Sequence, residues 1–240
     1  MPLPLNLAMT PAEITAAETF PAQIAWMSCH FSPGGTGLVD TPRKLPEGAM
    51  LILDDSVPCS GHSAGLIADF LYETVSRLRC GSVLLDFQRS GNTQAAAIAA
   101  ALAAALPCPV GVSPEYATSL SCPVFLPPAP LHIPMQRYLH PWQGREIWLE
   151  AALCREVITV TKKGTAFAEA EAQEDGRDGF CSQSLCCCYK TRVQPDCAAF
   201  TLFDTPETLE RKLDLSHTLG VTRAVGLYQE LGSYFGKSFG

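Results

Sequence analysis

The sequence has few basic residues and no cluster of them. Lysine and arginine total 17 against 24 aspartates and glutamates, which gives a formal charge of -7 and a pI near 5.2. A basic patch is the electrostatic signature of proteins that bind nucleic acid or anionic membranes. We therefore expect neither of these as the principal partner.

Long apolar runs are also absent. The most apolar tract, the alanine-rich stretch at 95–106, is too short to span a bilayer and ends at Pro107. The first residues, 1–6, lack the basic start and the continuous apolar core of a secretory signal. These features predict a cytoplasmic protein that does not enter the membrane.

Metal and cofactor motifs are missing as well. The sequence contains no phosphate-binding loop, no dinucleotide-binding glycine fingerprint and no H-E-x-x-H zinc motif. Its eleven cysteines are spread along the chain without a C-x-x-C pair. We interpret them as reduced thiols in the core, although Cys181, Cys186 and Cys188 leave a metal site of non-standard spacing as an alternative. The prediction is that the protein has no cofactor and no metal.

Short apolar runs bounded by turn residues are what the sequence does contain, and they are typical of strands buried on both faces. We predict eight such strands, at 23–31, 49–53, 82–85, 109–113, 122–126, 146–152, 198–203 and 224–228. Helical patterns cover 62–79 and 93–106, and a third helix runs from Thr205 to Gly220. Eight strands of this kind most simply close as an irregular (β/α)8 barrel of the TIM type. An open, doubly wound sheet is the structural alternative.

One region departs from this rhythm. Residues 156–193 contain two alternating β-type runs around Lys162-Lys163-Gly164, followed by a polar tract and a further strand pattern. We predict a small β-hairpin insertion between the sixth and seventh of the predicted strands. The chain is then one barrel domain, 1–240, with this insertion inside it.

The stretch from Ser82 to Gly91 concentrates the polar chemistry. Its apolar half ends directly in Asp86, Gln88 and Arg89. Ligands of parallel α/β folds meet the protein at the carboxyl ends of the strands. Asp86 and Gln88 lie two residues apart and point to the same side of an extended chain. This stretch is therefore the predicted ligand site.

The same stretch resembles the strand signature D-x-x-D-x-D-x-E of family-18 glycoside hydrolases, the chitinase family. The resemblance rests on Asp86 and Gln88, on the strand count, and on the last predicted strand, which ends in Tyr228. It implies that Asp86 orients the acetamido group of the substrate. It places Gln88 where the family has its acidic glutamate, and Tyr228 where a tryptophan commonly floors the sugar site. The expected ligand is an oligosaccharide or a related small molecule.

Glutamine changes the expected chemistry, because its side chain cannot donate a proton to a leaving alkoxide. Either another carboxylate supplies the proton or the barrel binds a glycan without cleaving it. A carboxylate that follows another predicted strand could act as the acid instead. The predicted catalytic residues are therefore Glu115 and Glu230, together with Asp86 and Gln88. Further carboxylates considered are Asp54, Asp55 and Glu150.

Four residues are predicted to bind the substrate at the strand ends, namely His30, Asp55, Arg89 and Tyr228. The function that follows is a glycoside-hydrolase-like barrel that binds or processes a glycan. The alternative is a non-catalytic barrel that acts as a saccharide-binding or protein-interaction module, to which the aromatic loop at 131–144 would contribute.

Overall fold

The computed structural model describes residues 3–16, 23–35, 37–169 and 179–235. Its strands in chain order are β1 (Leu5–Met9), β2 (Ile24–Phe31), β3 (Leu38–Val39), β4 (Met50–Asp54), β5 (Ser82–Asp86), β6 (Val110–Val112), β7 (Val124–Leu126), β8 (Ile147–Ala151), β9 (Arg155–Thr161), β10 (Gly164–Glu169), β11 (Phe180–Ser182), β12 (Cys187–Gln194), β13 (Cys197–Phe203) and β14 (Val221–Leu227).

Within the described residues, the barrel has fewer helices than strands, and several of the helices are short. They are α1 (Pro11–Ala16), α2 (Ala64–Leu78), α3 (Thr93–Ala105), α4 (Pro114–Ala117), α5 (Met135–Leu139), α6 (Pro206–Thr218) and α7 (Tyr228–Phe235), with a short 3-10 helix at His140–Trp142. Asn92 caps α3 through its side chain, and Thr205 caps α6 in a capping box with Pro206 at the first helical position.

The larger sheet closes into a barrel of eight parallel strands. Its order is β1-β14-β8-β7-β6-β5-β4-β2, and β1 also pairs with β2, which completes the ring. The short β3 adds an antiparallel pairing to the end of β2. The predicted irregular TIM-type barrel is confirmed, and the open sheet is excluded.

Alternation along each strand sends one set of side chains into the barrel and the other against the helices. Ile52 joins an interior cluster with Trp148, whereas Leu51 and Leu53 belong to the outer core. Gly111 makes room for the indole, because a Cβ atom there would lie 2.3 Å from Trp148 Cε3. The middle of the barrel is therefore filled, which leaves its ends as the places open to a ligand.

The smaller sheet is antiparallel and lies in the chain between β8 and α6. Its order is β10-β9-β13-β12-β11. It packs on the barrel loop through Leu131, which shares a small buried cluster with Cys187 and Leu202. A polar contact reinforces this packing, since His132 Nδ1 lies 2.7 Å from Glu156 Oε2. The insertion is thus anchored to the loop that follows β7.

Two strand assignments from the sequence are wrong. The first barrel strand is Leu5–Met9, which is not among the predicted strands; the run is short and Asn6 interrupts it. The run at 198–203 is not a barrel strand, because β13 pairs antiparallel with β9 and β12 and most of its residues are only half-buried. Its apolar composition reflects one covered face of the smaller sheet rather than two.

These corrections shift the order of the barrel strands. Ser82–Asp86 forms the fourth strand of the barrel rather than the third, and the insertion follows the seventh strand rather than the sixth. The treatment of 1–240 as one domain with an insertion at 156–193 stays a prediction. Within the described ranges, no helix is long and apolar enough to cross a membrane.

Candidate functional site

A cavity of about 620 Å³ opens at the carboxyl ends of the barrel strands. Its floor is apolar and consists of side chains from the interior cluster, among them Ile52, Leu84, Phe125 and Val225. Its rim is polar and is formed by His30, Asp54, Asp55, Ser56, Asp86, Gln88, Arg89 and Glu150. An apolar floor below a few convergent polar groups is the usual construction of a small-ligand site.

Strand register brings three of the rim residues side by side. His30 is paired with Asp54 across β2 and β4, and Asp54 is paired with Asp86 across β4 and β5. His30 Nδ1 lies 2.6 Å from Asp54 Oδ2, and Ser56 donates its backbone N–H to Asp54 Oδ1 at 2.9 Å. The Asp54 carboxylate therefore fixes the orientation of the His30 ring at the rim.

Asp55 holds the loop after β5 in place. The residue is 3% exposed, and its two carboxylate oxygens accept the backbone N–H groups of Gln88 at 3.0 Å and Arg89 at 3.1 Å. Arg89 returns the contact by donating Nε to the Asp55 carbonyl oxygen at 3.0 Å and Nη2 to the Ser56 carbonyl oxygen at 3.0 Å. These mutual hydrogen bonds fix the position of Gln88, and they occupy the Arg89 guanidinium with backbone carbonyl oxygens.

Asp86 and Gln88 share one corner of the cavity. The Gln88 amide nitrogen lies 3.4 Å from each Asp86 carboxylate oxygen, which is long for a hydrogen bond and leaves both groups able to meet a ligand. Burial raises the pKa of Asp86, and the negative charges of Asp54 and Asp55 raise it further, while the Gln88 amide opposes them. A hydrogen-bond donor on a ligand would therefore stabilise the charged form of this carboxylate.

Glu150 is a second carboxylate at the same cavity. It lies two residues after Trp148 on β8, so the two side chains share the inward-facing side of the strand. Burial raises its pKa, followed by the negative charges of Asp86 and Glu230. The sequence contains a signal for this position. A charged residue within an apolar barrel strand is not expected on the face that packs against the helices, so Glu150 is expected to point into the barrel.

Three predicted site residues lie outside the cavity lining. Glu115 accepts the backbone N–H of Gly91, and Glu230 Oε1 accepts the backbone N–H of Leu153 at 2.5 Å. Tyr228 begins α7 and packs against the outer core. By contrast, the structure brings together at the rim the other five, His30, Asp55, Asp86, Gln88 and Arg89.

The pentapeptide at 61–65, G-H-S-A-G, matches the nucleophile-elbow pattern of α/β-hydrolases. An elbow needs a strained turn that leads directly from a strand into a helix. Ser63 instead occupies the residue before α2, at an unstrained φ of -76° and ψ of 127° and without a side-chain capping hydrogen bond. The neighbouring His62 places Nδ1 3.1 Å from the Cys59 carbonyl oxygen and Nε2 3.2 Å from that of Gly37. This segment is a helix start rather than a serine-nucleophile site.

The cysteines do not assemble a metal centre in the part of the chain that the structure describes. No group of three or more His, Cys, Asp or Glu side chains there is placed to hold a metal ion. No two of the described cysteines form a disulfide with each other.

Comparison with known proteins adds information on the fold. No protein-family profile and no curated protein matches the sequence. The spore cortex-lytic enzyme SleL of Bacillus cereus aligns with a TM-score of 0.54 at 11% identity, over 93% of this chain and 70% of that enzyme. A GH18 chitinase from Cycas revoluta in complex with (GlcNAc)3 gives 0.52 at 8% identity, over 92% and 94% of the two chains.

A third structure is a chitinase-like agglutinin from Robinia pseudoacacia, with a TM-score of 0.52 at 10% identity over 92% of this chain and 93% of the agglutinin. At such identities the likeness concerns the fold. The chain has the barrel fold found in family-18 chitinases, which confirms the resemblance inferred from the sequence.

The raised pKa values of Asp86 and Glu150 predict a pH dependence of stability. The folded state keeps these protons to higher pH than the unfolded chain, whose carboxyls titrate near the ordinary values of 3.8 and 4.5. The free energy of unfolding therefore falls as pH rises from those values through the raised folded ones. We expect Glu150→Gln to flatten this decline, and to be more stable than the wild type at neutral pH, in denaturant titrations repeated across the acid range.

Glu73→Gln on the exposed side of α2 serves as the control and should leave the slope unchanged. If the free energy of unfolding of the Glu150→Gln protein fell with pH as steeply as that of the wild type, the raised pKa of Glu150 would be contradicted.

Proposed function

We propose that the protein binds an oligosaccharide of N-acetylated hexosamine units at the cavity and does not cleave it through the residue in the acid position. The observation that carries the proposal is the Asp86–Gln88 pair above an apolar floor at the carboxyl ends of the barrel strands. The carboxylate accepts hydrogen bonds from ligand N–H and O–H groups, and the amide both donates and accepts. Apolar faces of sugar rings can rest on the floor.

The fold neighbours support a glycan as the ligand class. Among them are a lytic enzyme of the spore cortex, a chitinase in complex with (GlcNAc)3 and a chitinase-like agglutinin. The agglutinin is relevant because its name describes a chitinase-like protein by binding rather than by cleavage, and Gln88 of this chain cannot act as a general acid. Binding without cleavage is the function that agrees with both the fold and this substitution.

Hydrolysis through a displaced acid is a second candidate, and one observation favours it. Asp86 and Glu150 line the same cavity, and burial raises the pKa of Glu150. Glycoside hydrolysis generally uses two carboxyl groups, of which the acid has a raised pKa. Glu150 would then supply the proton that Gln88 cannot. This candidate ranks second because Glu150 lies on β8, away from the strand that carries the signature.

The binding proposal is tested by calorimetric titration with a tetramer of N-acetylglucosamine. We expect the wild type to bind, and Asp86→Asn to bind about tenfold more weakly or worse, because a hydrogen bond to a charged group contributes about 1.5–3 kcal/mol. Asp69→Asn, on the exposed side of α2, is the matched control and should bind like the wild type. Wild-type protein that fails to bind the tetramer, or Asp86→Asn protein that binds it equally well, would refute the proposal.

The role of position 88 has its own prediction. Gln88→Glu places an ionisable acid beside Asp86, and we expect it to release product from a fluorogenic glycoside of N-acetylglucosamine oligomers while the wild type does not. General acid catalysis typically contributes about 10²–10⁴-fold, which sets the scale of the gain. Wild-type hydrolysis that Glu150→Gln abolishes without loss of binding would instead establish the second candidate. A Gln88→Glu protein that binds the oligomer but stays inactive would contradict the assigned acid position.

A further inference from the structure

Two cysteines of the smaller sheet lie directly opposite each other. Cys181 of β11 is the register partner of Cys188 of β12, and the strands are antiparallel. Directly opposed residues of an antiparallel pair have Cα atoms about 4.5–5.5 Å apart. A disulfide bridges Cα atoms about 4.4–6.8 Å apart. The backbone therefore already holds these two residues at a separation that a disulfide can span.

As register partners, the two side chains lie on the same face of the smaller sheet. Burial raises the pKa of the Cys188 thiol, and the neighbouring Cys181 sulfur raises it further. Cys181 is exposed to solvent, and Arg211 Nη1 of α6 lies 3.9 Å from its sulfur. The Cys181 sulfur is thus accessible to a reagent, and the less exposed Cys188 sulfur lies next to it.

The neighbouring thiols are placed differently. Cys187 is fully buried, points to the other face of the sheet and lies near the Leu131 carbonyl oxygen, with its sulfur 3.9 Å away. Cys186 occupies the turn before β12 at a positive φ of 51°, with its sulfur 3.7 Å from the Gln183 carbonyl oxygen. Sequence adjacency in the run 186–188 would not have singled out Cys188, whereas strand register does.

We propose that Cys181 and Cys188 are a redox-active dithiol that a low-molecular-weight disulfide oxidises to a cross-strand disulfide. The Cys181 thiolate attacks one sulfur of the reagent, the reagent S–S bond breaks, and one reagent thiolate leaves. Cys188 then loses its proton and attacks the Cys181 sulfur, which expels the second reagent thiolate. Two electrons pass to the reagent, and the two protein protons end on its two thiols. This site is independent of the glycan-binding proposal.

Oxidised glutathione is the probe, applied to the full-length chain, with free thiols then alkylated under non-reducing conditions. Cleavage after Leu185 by chymotrypsin separates Cys181 from the run at 186–188. We expect the two fragments to stay joined until a reductant is added, with a combined mass lower by two hydrogen atoms than that of the reduced pair. The wild-type chain alone gives this result, so the outcome does not depend on the folding of a variant.

Variants then identify the partner. Cys186→Ser should retain the linked fragments, while Cys188→Ser should lose them and leave glutathione attached to Cys181. Two results would overturn the proposal. One is a wild-type chain in which Cys181 is joined to Cys186 or Cys187. The other is a chain in which Cys181 and Cys188 both remain available for alkylation after equilibration with excess oxidised glutathione.

Discussion

The closure of the barrel through β1 is the constraint on which the rest of the structure depends. This five-residue strand pairs with β14 on one side and with β2 on the other. Without it the sheet would have two exposed edges, and the strands at those edges would not converge on a common mouth. With it, the period-2 alternation of eight strands fills the interior and directs Ile52, Leu84 and Val225 to one floor.

The same geometry concentrates negative charge, which the protein has to accommodate. Asp54, Asp86 and Glu150 lie on one rim. Burial disfavours the charged forms of Asp86 and Glu150. Within the site, His30 contacts the Asp54 carboxylate, and the Gln88 amide lies beside Asp86 and partly offsets the cost of burying its charge. Asp55 differs, because its buried carboxylate is satisfied by two backbone N–H groups. The rim therefore combines a rigid loop with carboxylates that still have capacity for a ligand.

Much of the fold could be predicted from apolar runs and turn residues. The run from Ser82 to Asp86 is a barrel strand with its polar residues at the mouth, as its sequence predicts. Two segments could not be predicted in this way, because their composition does not indicate how they are buried. Leu5–Met9 is fully buried although Asn6 interrupts it, and Cys197–Phe203 is equally apolar but belongs to the other sheet. Pairing partners decide both cases, and partners distant in sequence leave no local signal.

The site shows the same division. Asp86 and Gln88 can be predicted at the cavity because they stand at the end of a strand. Glu150 lies inside a strand, and only the alternation of side chains along β8 indicates that it faces the cavity. Glu115 and Glu230 also follow strands, yet each accepts a backbone N–H in a neighbouring loop. Which carboxylate caps a loop and which stays open to a ligand depends on loop conformations that a single sequence does not determine.

The most direct test of the central claim is a crystal structure of the protein soaked with a tetramer of N-acetylglucosamine. We expect electron density for the sugar over the apolar floor, with hydrogen bonds from the sugar to Asp86 and Gln88. Density for the sugar at another surface, or an unchanged cavity at a saturating ligand concentration, would contradict it.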